Sequence, residues 1–312
     1  MNREPLFLTP VFQERIWGGT ALREQFGYEI PNDKTGECWA ISAHPNGMGF
    51  IKNGEFAGKS LAELWETQKD LFGNFPSLKF PLLTKILDAN DDLSVQVHPN
   101  DEYANLNENG EFGKTECWYI IDAKPGAELI FGHNAQSTEE VRLMMESGQW
   151  EQFLRRIQVK AGDFFYVPSG TVHALCSGTL ILETQQSSDT TYRLYDYDRT
   201  DDAGNTRELH LEKSIDVIRA PHTSVAVKPS AHEVVGATVT TYVESDFFSV
   251  YKYEVNGEAV FEQDKPFLLM SVLAGSGKIN EYALAKGDHF ILPHGFEEFK
   301  LSGDLELMVS HV

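Results

Sequence analysis

The sequence predicts a mainly β protein: two related jelly-roll barrels of antiparallel strands with helical insertions. Three observations predict this. Short runs rich in Val, Ile, Leu, Phe and Tyr recur between Gly, Pro, Asn and Asp, as strands closed by turns do. Two Ser-x-x-Glu capping boxes, Ser60 to Glu63 and Ser137 to Glu140, mark where helices interrupt those strands. The segment from Lys160 to Gly170 is echoed from Ala285 to Gly295, both reading Gly-Asp, an aromatic-aliphatic run and Pro-x-Gly, so one unit occurs twice.

In chain order, the box at Ser60 opens a helix over 61–72, and apolar strand-like runs follow at 81–87 and 94–99. Strands are expected over 116–121 and 128–131. The box at Ser137 opens a helix over 139–146, followed by a second helix over 150–157. Strands return over 163–167 and 179–183. The stretch 220–236, rich in Pro, Ser, Thr and Ala, is the natural cut, and strands at 247–255, 267–272, 289–292 and 305–309 complete the second barrel. The expected units are 1–230, with helical insertions at about 60–72 and 138–158, and 231–312.

The bulk numbers exclude several classes. At 312 residues and 41% hydrophobic content the chain buries one large core or two moderate ones. No apolar run approaches the roughly 20 residues that span a bilayer. A formal charge of -21 opposes binding to nucleic acid and to anionic lipid, so neither partner is expected. The same field opposes anionic ligands, so any phosphate site must be a local cluster of Lys, Arg and backbone N–H groups. Cys38, Cys117 and Cys176 show no C-x-x-C spacing and lie in apolar runs. They read as small buried hydrophobes in a reducing, cytoplasmic protein.

The chemistry concentrates on four residues. Gln96 and His98 stand two apart on an apolar run, so both side chains leave one face of a strand. Glu116 starts the next strand, and His173 follows the turn at Pro168 to Gly170. One amide, one carboxylate and two imidazoles suit a divalent metal with a position left open. Gly162-x₅-Pro168-x-Gly170-x₂-His173 matches the second cupin motif, and Gln96-x-His98 with Glu116 resembles the first.

The sequence resembles the type I mannose-6-phosphate isomerases, in the short form of low-GC Gram-positive bacteria. Matching segments run through most of the first 200 residues: Arg15 to Gly19, Gly36 to Ser42, Pro81 to Asp88, Leu93 to Asp101, Lys114 to Trp118, Pro168 to His173 and Thr191 to Asp196. The Leu-Ser-x-Gln-x-His-Pro run at 93–99 is specific to that family. The resemblance implies two cupin domains, one zinc per chain held by Gln96, His98, Glu116 and His173, and interconversion of mannose 6-phosphate and fructose 6-phosphate through a cis-enediolate. Gln96 either ligates directly or hydrogen-bonds a bound water. Among the implied catalytic residues, Arg193 neutralises the enediolate, and either Lys114 or Glu183 shuttles the proton. Lys85 and Ser94 are implied to contact the phosphate, and Trp17 to shape the pocket wall.

The second barrel departs from the pattern. Its spacing lands on Glu298 where the first has His173, so it is expected to be metal-free, with His289 and His294 in solvated loop roles. Two rival functions fit the ligand set: another metal-dependent cupin enzyme such as an iron dioxygenase, or a sugar-phosphate sensor without turnover. The assembly expected is a monomer or homodimer.

Overall fold

The computed structural model describes residues 4–200 and 204–312. Among these, the strands form three sheets. A six-stranded sheet runs in the order Phe164–Val167, Glu116–Ala123, Thr179–Gln186, Leu82–Ala89, Thr35–Ile41, Val11–Gly19. A five-stranded sheet runs Tyr192–Tyr195, Val95–Val97, His173–Leu175, Glu128–His133, Leu154–Gln158. The long C-terminal strands Ser249–Gln263, Leu268–Ile279 and Glu297–His311 dominate the nine-stranded third sheet. The chain is therefore mainly β, with the cupin architecture and few helices that the sequence predicts.

Strand periodicity decides where the polar residues go. The central strands of the six-stranded sheet are covered on both faces, so both alternating sets of side chains are buried. Leu82, Ile86, Cys117, Tyr119, Leu180 and Leu182 face the core shared with the C-terminal barrel. Leu87, Trp118, Ile120 and Ile181 face the interior of the first barrel. A period of two then places Lys85, Glu116 and Glu183 on that inner face. The five-stranded sheet packs Val95, Val97, Val172 and Ala174 against Val141, Met145, Phe153 and Ile215 of the helices and turns outside it.

Several elements differ from expectation. The helix expected over 61–72 is an α-helix at Leu61–Thr67, capped by the Ser60 hydroxyl, and then a 3₁₀ turn at Lys69–Phe72. The helix expected over 150–157 stops at Phe153, and Leu154–Gln158 is a strand paired with Glu128–His133. Leu154 and Ile157 satisfy a helical spacing, but edge pairing to a buried strand wins over local preference. The strand expected over 247–255 begins at Ser249 and runs on through Asn256-Gly257 to Gln263. Gly257 (φ 102°) is paired there with Gly303 (φ 117°), and two glycines let both fifteen-residue strands bend together.

The barrels are interlocked. Leu6–Thr9 pairs with His289–Leu292, and Phe50–Ile51 pairs with Leu6–Thr9, so two N-terminal strands lie in the C-terminal sheet. His289 is not the solvated loop residue expected from sequence. It is buried on its strand, with Nδ1 at 2.8 Å from Ser271 Oγ and Nε2 at 2.8 Å from the Tyr28 hydroxyl. Burial pushes its pKa down to about 3. His294 and Glu298 are exposed.

Candidate metal centre and catalytic cavity

The strand Val95–Val97 pairs with His173–Leu175, bringing His173 opposite Gln96, and Pro99 follows His98 immediately. The turn at Pro168 closes by a bond from Gly170 N–H to the His98 carbonyl, 2.8 Å, which ties the two imidazole-bearing segments together. Glu116 opens the strand Glu116–Ala123 behind them. As a result, one ligand atom each from His98, Glu116 and His173 lies within 4.8 Å of the others, all three residues fully buried. Gln96 Nε2 is 3.3 Å from His173 Nε2, so the amide borders the same point.

The donor set fits a metal on three counts. His98 Nδ1 is 2.9 Å from the Thr190 carbonyl and His173 Nδ1 is 2.8 Å from the Thr171 carbonyl, which places both protons on Nδ1 and leaves Nε2 lone pairs facing inward. Burial lowers both imidazole pKa values, His98 to about 3, so the rings stay neutral. His98 Nε2 and Glu116 Oε1 are buried with no hydrogen-bond partner, a costly arrangement that a cation would relieve. Burial opposes the Glu116 charge, but the Lys114 ammonium beside it counts most among the groups that hold the carboxyl well below its ordinary range.

Above the cluster lies a cavity of about 340 Å³. Trp17, Lys85, Ser94, Gln96, Lys114, Glu183 and Arg193 all line it, so the structure brings together every non-ligand residue singled out from sequence. Arg15, Glu37, Asp189 and Arg207 line it too. Sequence reasoning assigned none of these a role, although Arg15 and Glu37 stood inside quoted motifs. Five cations thus converge in a chain of charge -21, the local basic cluster that an anionic ligand requires.

The cations differ in how they are partnered. Arg15 forms a two-point pair with Glu37 at 2.9 and 3.2 Å. Lys85, enclosed in its apolar strand, stands 3.9 Å from Glu37, 3.8 Å from Glu183 and over the Trp39 ring. Lys114 Nζ lies 3.0 Å from Glu116 Oε2. Asp196 engages Arg199 and Arg207, not Arg193. Arg193 instead donates to Ser94 Oγ (3.2 Å) and the Glu208 carbonyl (2.8 Å), and among the described residues it pairs with no carboxylate.

The two proton-shuttle candidates separate here. Burial opposes the Lys114 charge, but Glu116 and Glu183 prevail and raise its pKa. Burial and the nearby Glu116 charge push Glu183 up to about 7 against the opposing lysines. A carboxyl titrating near neutrality has the properties of a general base.

Residues 6–121 match the family model for the catalytic domain of type I phosphomannose isomerase, and residues 238–312 match that for the mannose-6-phosphate isomerase cupin domain. The chain is 57% identical to mannose-6-phosphate isomerase ManA of Bacillus subtilis (strain 168) over the whole of both chains. It is 55% identical to the mannose-6-phosphate isomerase of Streptococcus mutans, covering 99% of this chain and 98% of that one. The crystal structure of the mannose 6-phosphate isomerase from Bacillus subtilis superposes with a TM-score of 0.97 at 54% identity, over 99% of this chain and all of that one.

Proposed function

The chain belongs to the type I phosphomannose isomerase family, and from that membership and the geometry of its cavity we propose that it interconverts mannose 6-phosphate and fructose 6-phosphate by zinc-assisted proton transfer through a cis-enediolate. The observation that carries this reading is the buried His98, Glu116 and His173 cluster, which Gln96 and Lys114 join to the cavity that Glu183 lines. Zinc held by those three residues, with Gln96 alongside, would supply Lewis-acid stabilisation of negative charge on the substrate oxygens.

The remaining chemistry belongs to side chains. Glu183 takes the C2 proton and returns it to C1, its raised pKa matching a base that must accept and release at neutral pH. Arg193 is the register partner of Gln96 on the adjacent strand, so its guanidinium, paired with no carboxylate among the described residues, shares the cavity with Gln96 and meets charge that develops on the enediolate. Lys114 keeps its charge and adds to the same field. Ser94, tied to Arg193, and Lys85 receive the phosphate, while Trp17 and the cavity wall hold the sugar.

The test is conversion of mannose 6-phosphate in deuterium oxide. The reading expects fructose 6-phosphate carrying solvent deuterium at C1, since a proton held on Glu183 exchanges with water during some turnovers. Conversion without any label in product or recovered substrate, or no conversion, contradicts it.

A further inference from the structure

Glu183 cannot orient itself, because the torsion that turns a carboxylate is broad and roughly two-fold. The surrounding groups hold its two oxygens unequally. Lys85 Nζ stands 3.8 Å from Oε1, a distance that attracts without directing. Trp118 Nε1 donates to Oε2 at 3.1 Å, a directional bond to a charged acceptor. The indole is itself immobile. Trp118 follows Glu116 by two residues and so shares its inward face, lies opposite Glu183 in register, and is 1% exposed. Its ring meets the His173 imidazole edge-on at 5.3 Å and 68°, and Phe131 at 6.5 Å and 66°. One rigid ring therefore touches both a residue of the metal cluster and the carboxylate of the base.

We propose that Trp118 is a positioning residue for proton transfer, its indole N–H occupying Glu183 Oε2 and turning Oε1 alone toward the substrate carbon. This rests on Glu183 acting as the base. Its sequence signal is spacing alone: an indole placed two residues after a metal-ligating carboxylate on a buried strand shares that inward face, whereas a Trp in an apolar run otherwise reads as core.

The experiment replaces Trp118 with 3-benzothienylalanine, which keeps the ring shape and lacks the N–H, and separately with Phe. Zinc content, Tm, kcat, KM and the kinetic isotope effect with 2-deuterated mannose 6-phosphate are then measured. The expected result for the isostere is kcat lowered roughly ten- to a hundredfold, with KM within about twofold, zinc and Tm retained, and a larger isotope effect because proton transfer has become slower. Trp118→Phe should follow it if it folds. The same measurements on Glu183→Gln separate the two levels of the argument. Loss of turnover in Glu183→Gln with a wild-type rate in the isostere overturns the role of Trp118 alone, whereas a wild-type rate in Glu183→Gln overturns the base assignment and this inference with it. A kcat loss in the isostere that comes with lost zinc or lowered Tm assigns the ring to structure and also overturns it.

Discussion

At the scale of single residues, the account turns on which buried charges are already matched. Arg193 has no carboxylate partner among the described residues, so its charge is available to an intermediate, and Arg193→Ala should lower kcat by roughly 10²–10³ with a smaller change in KM. Lys85 is different because Glu37 and Glu183 flank it. Lys85→Met should raise KM through the phosphate and also lower stability, toward the low end of the roughly 3–5 kcal/mol typical of a broken buried pair, since Arg15 still holds Glu37. Steady-state kinetics beside a urea titration distinguish the two signatures. Glu183 gives a pH dependence: the base must be deprotonated, so kcat/KM falls as pH drops through its folded pKa. That value is about 7 by burial and is drawn lower by a bound cation, so an acid limb between about 4.5 and 7 is expected and should vanish in Glu183→Gln with the activity. A profile flat from pH 8 to 4 contradicts the assignment. The sequence made the His98, Glu116 and His173 cluster legible because Gln-x-His and the Pro-x-Gly turn are local. The choice between Lys114 and Glu183 was not, because it depends on which neighbours surround each charge in space.

At the scale of elements, the turn from Pro168 to His173 sets how His173 stands against His98. Gly170 is at φ 82°, and a Cβ there would come within 2.8 Å of both Arg219 Cγ and the Val217 carbonyl. Gly170→Ala should therefore cost roughly 1–3 kcal/mol and loosen the bond from Gly170 N–H to the His98 carbonyl, lowering Tm and metal occupancy together. Wild-type Tm and full metal content would show that the turn tolerates a side chain. The strands around this turn were readable from alternation and turn residues. Leu154–Gln158 was not, since a segment whose Leu154 and Ile157 keep helical spacing became a strand only because Glu128–His133 offered an open edge. The long C-terminal strands were expected too short, because 256–263, 273–279 and 297–304 are held extended by pairing with one another rather than by an apolar run of their own.

At the scale of the whole molecule, the two barrels share a core and the first lends two strands to the sheet of the second, a relation no local pattern reveals because Leu6 and Ile291 meet across almost the entire chain. His289 sits at that junction, neutral and buried. Its folded pKa is depressed below the ordinary 6.5, so the unfolded chain binds the extra proton first, and stability is full above pH 6.5 and lost as pH falls toward 3. Between pH 6.5 and 5 the loss from this residue should approach about 2 kcal/mol, and His289→Gln should flatten that slope in urea titrations. An unchanged slope would show that His289 binds protons alike in the folded and unfolded chain. The central claim is that one metal in the His98, Glu116 and His173 cluster makes the cavity an isomerase, and the direct measurement is a zinc titration of metal-free protein that follows bound metal and mannose 6-phosphate turnover together. Turnover rising from near zero and levelling at one zinc per chain, with His173→Ala neither binding nor turning over, is the predicted result; full turnover in the metal-free chain, or in His173→Ala, would contradict it.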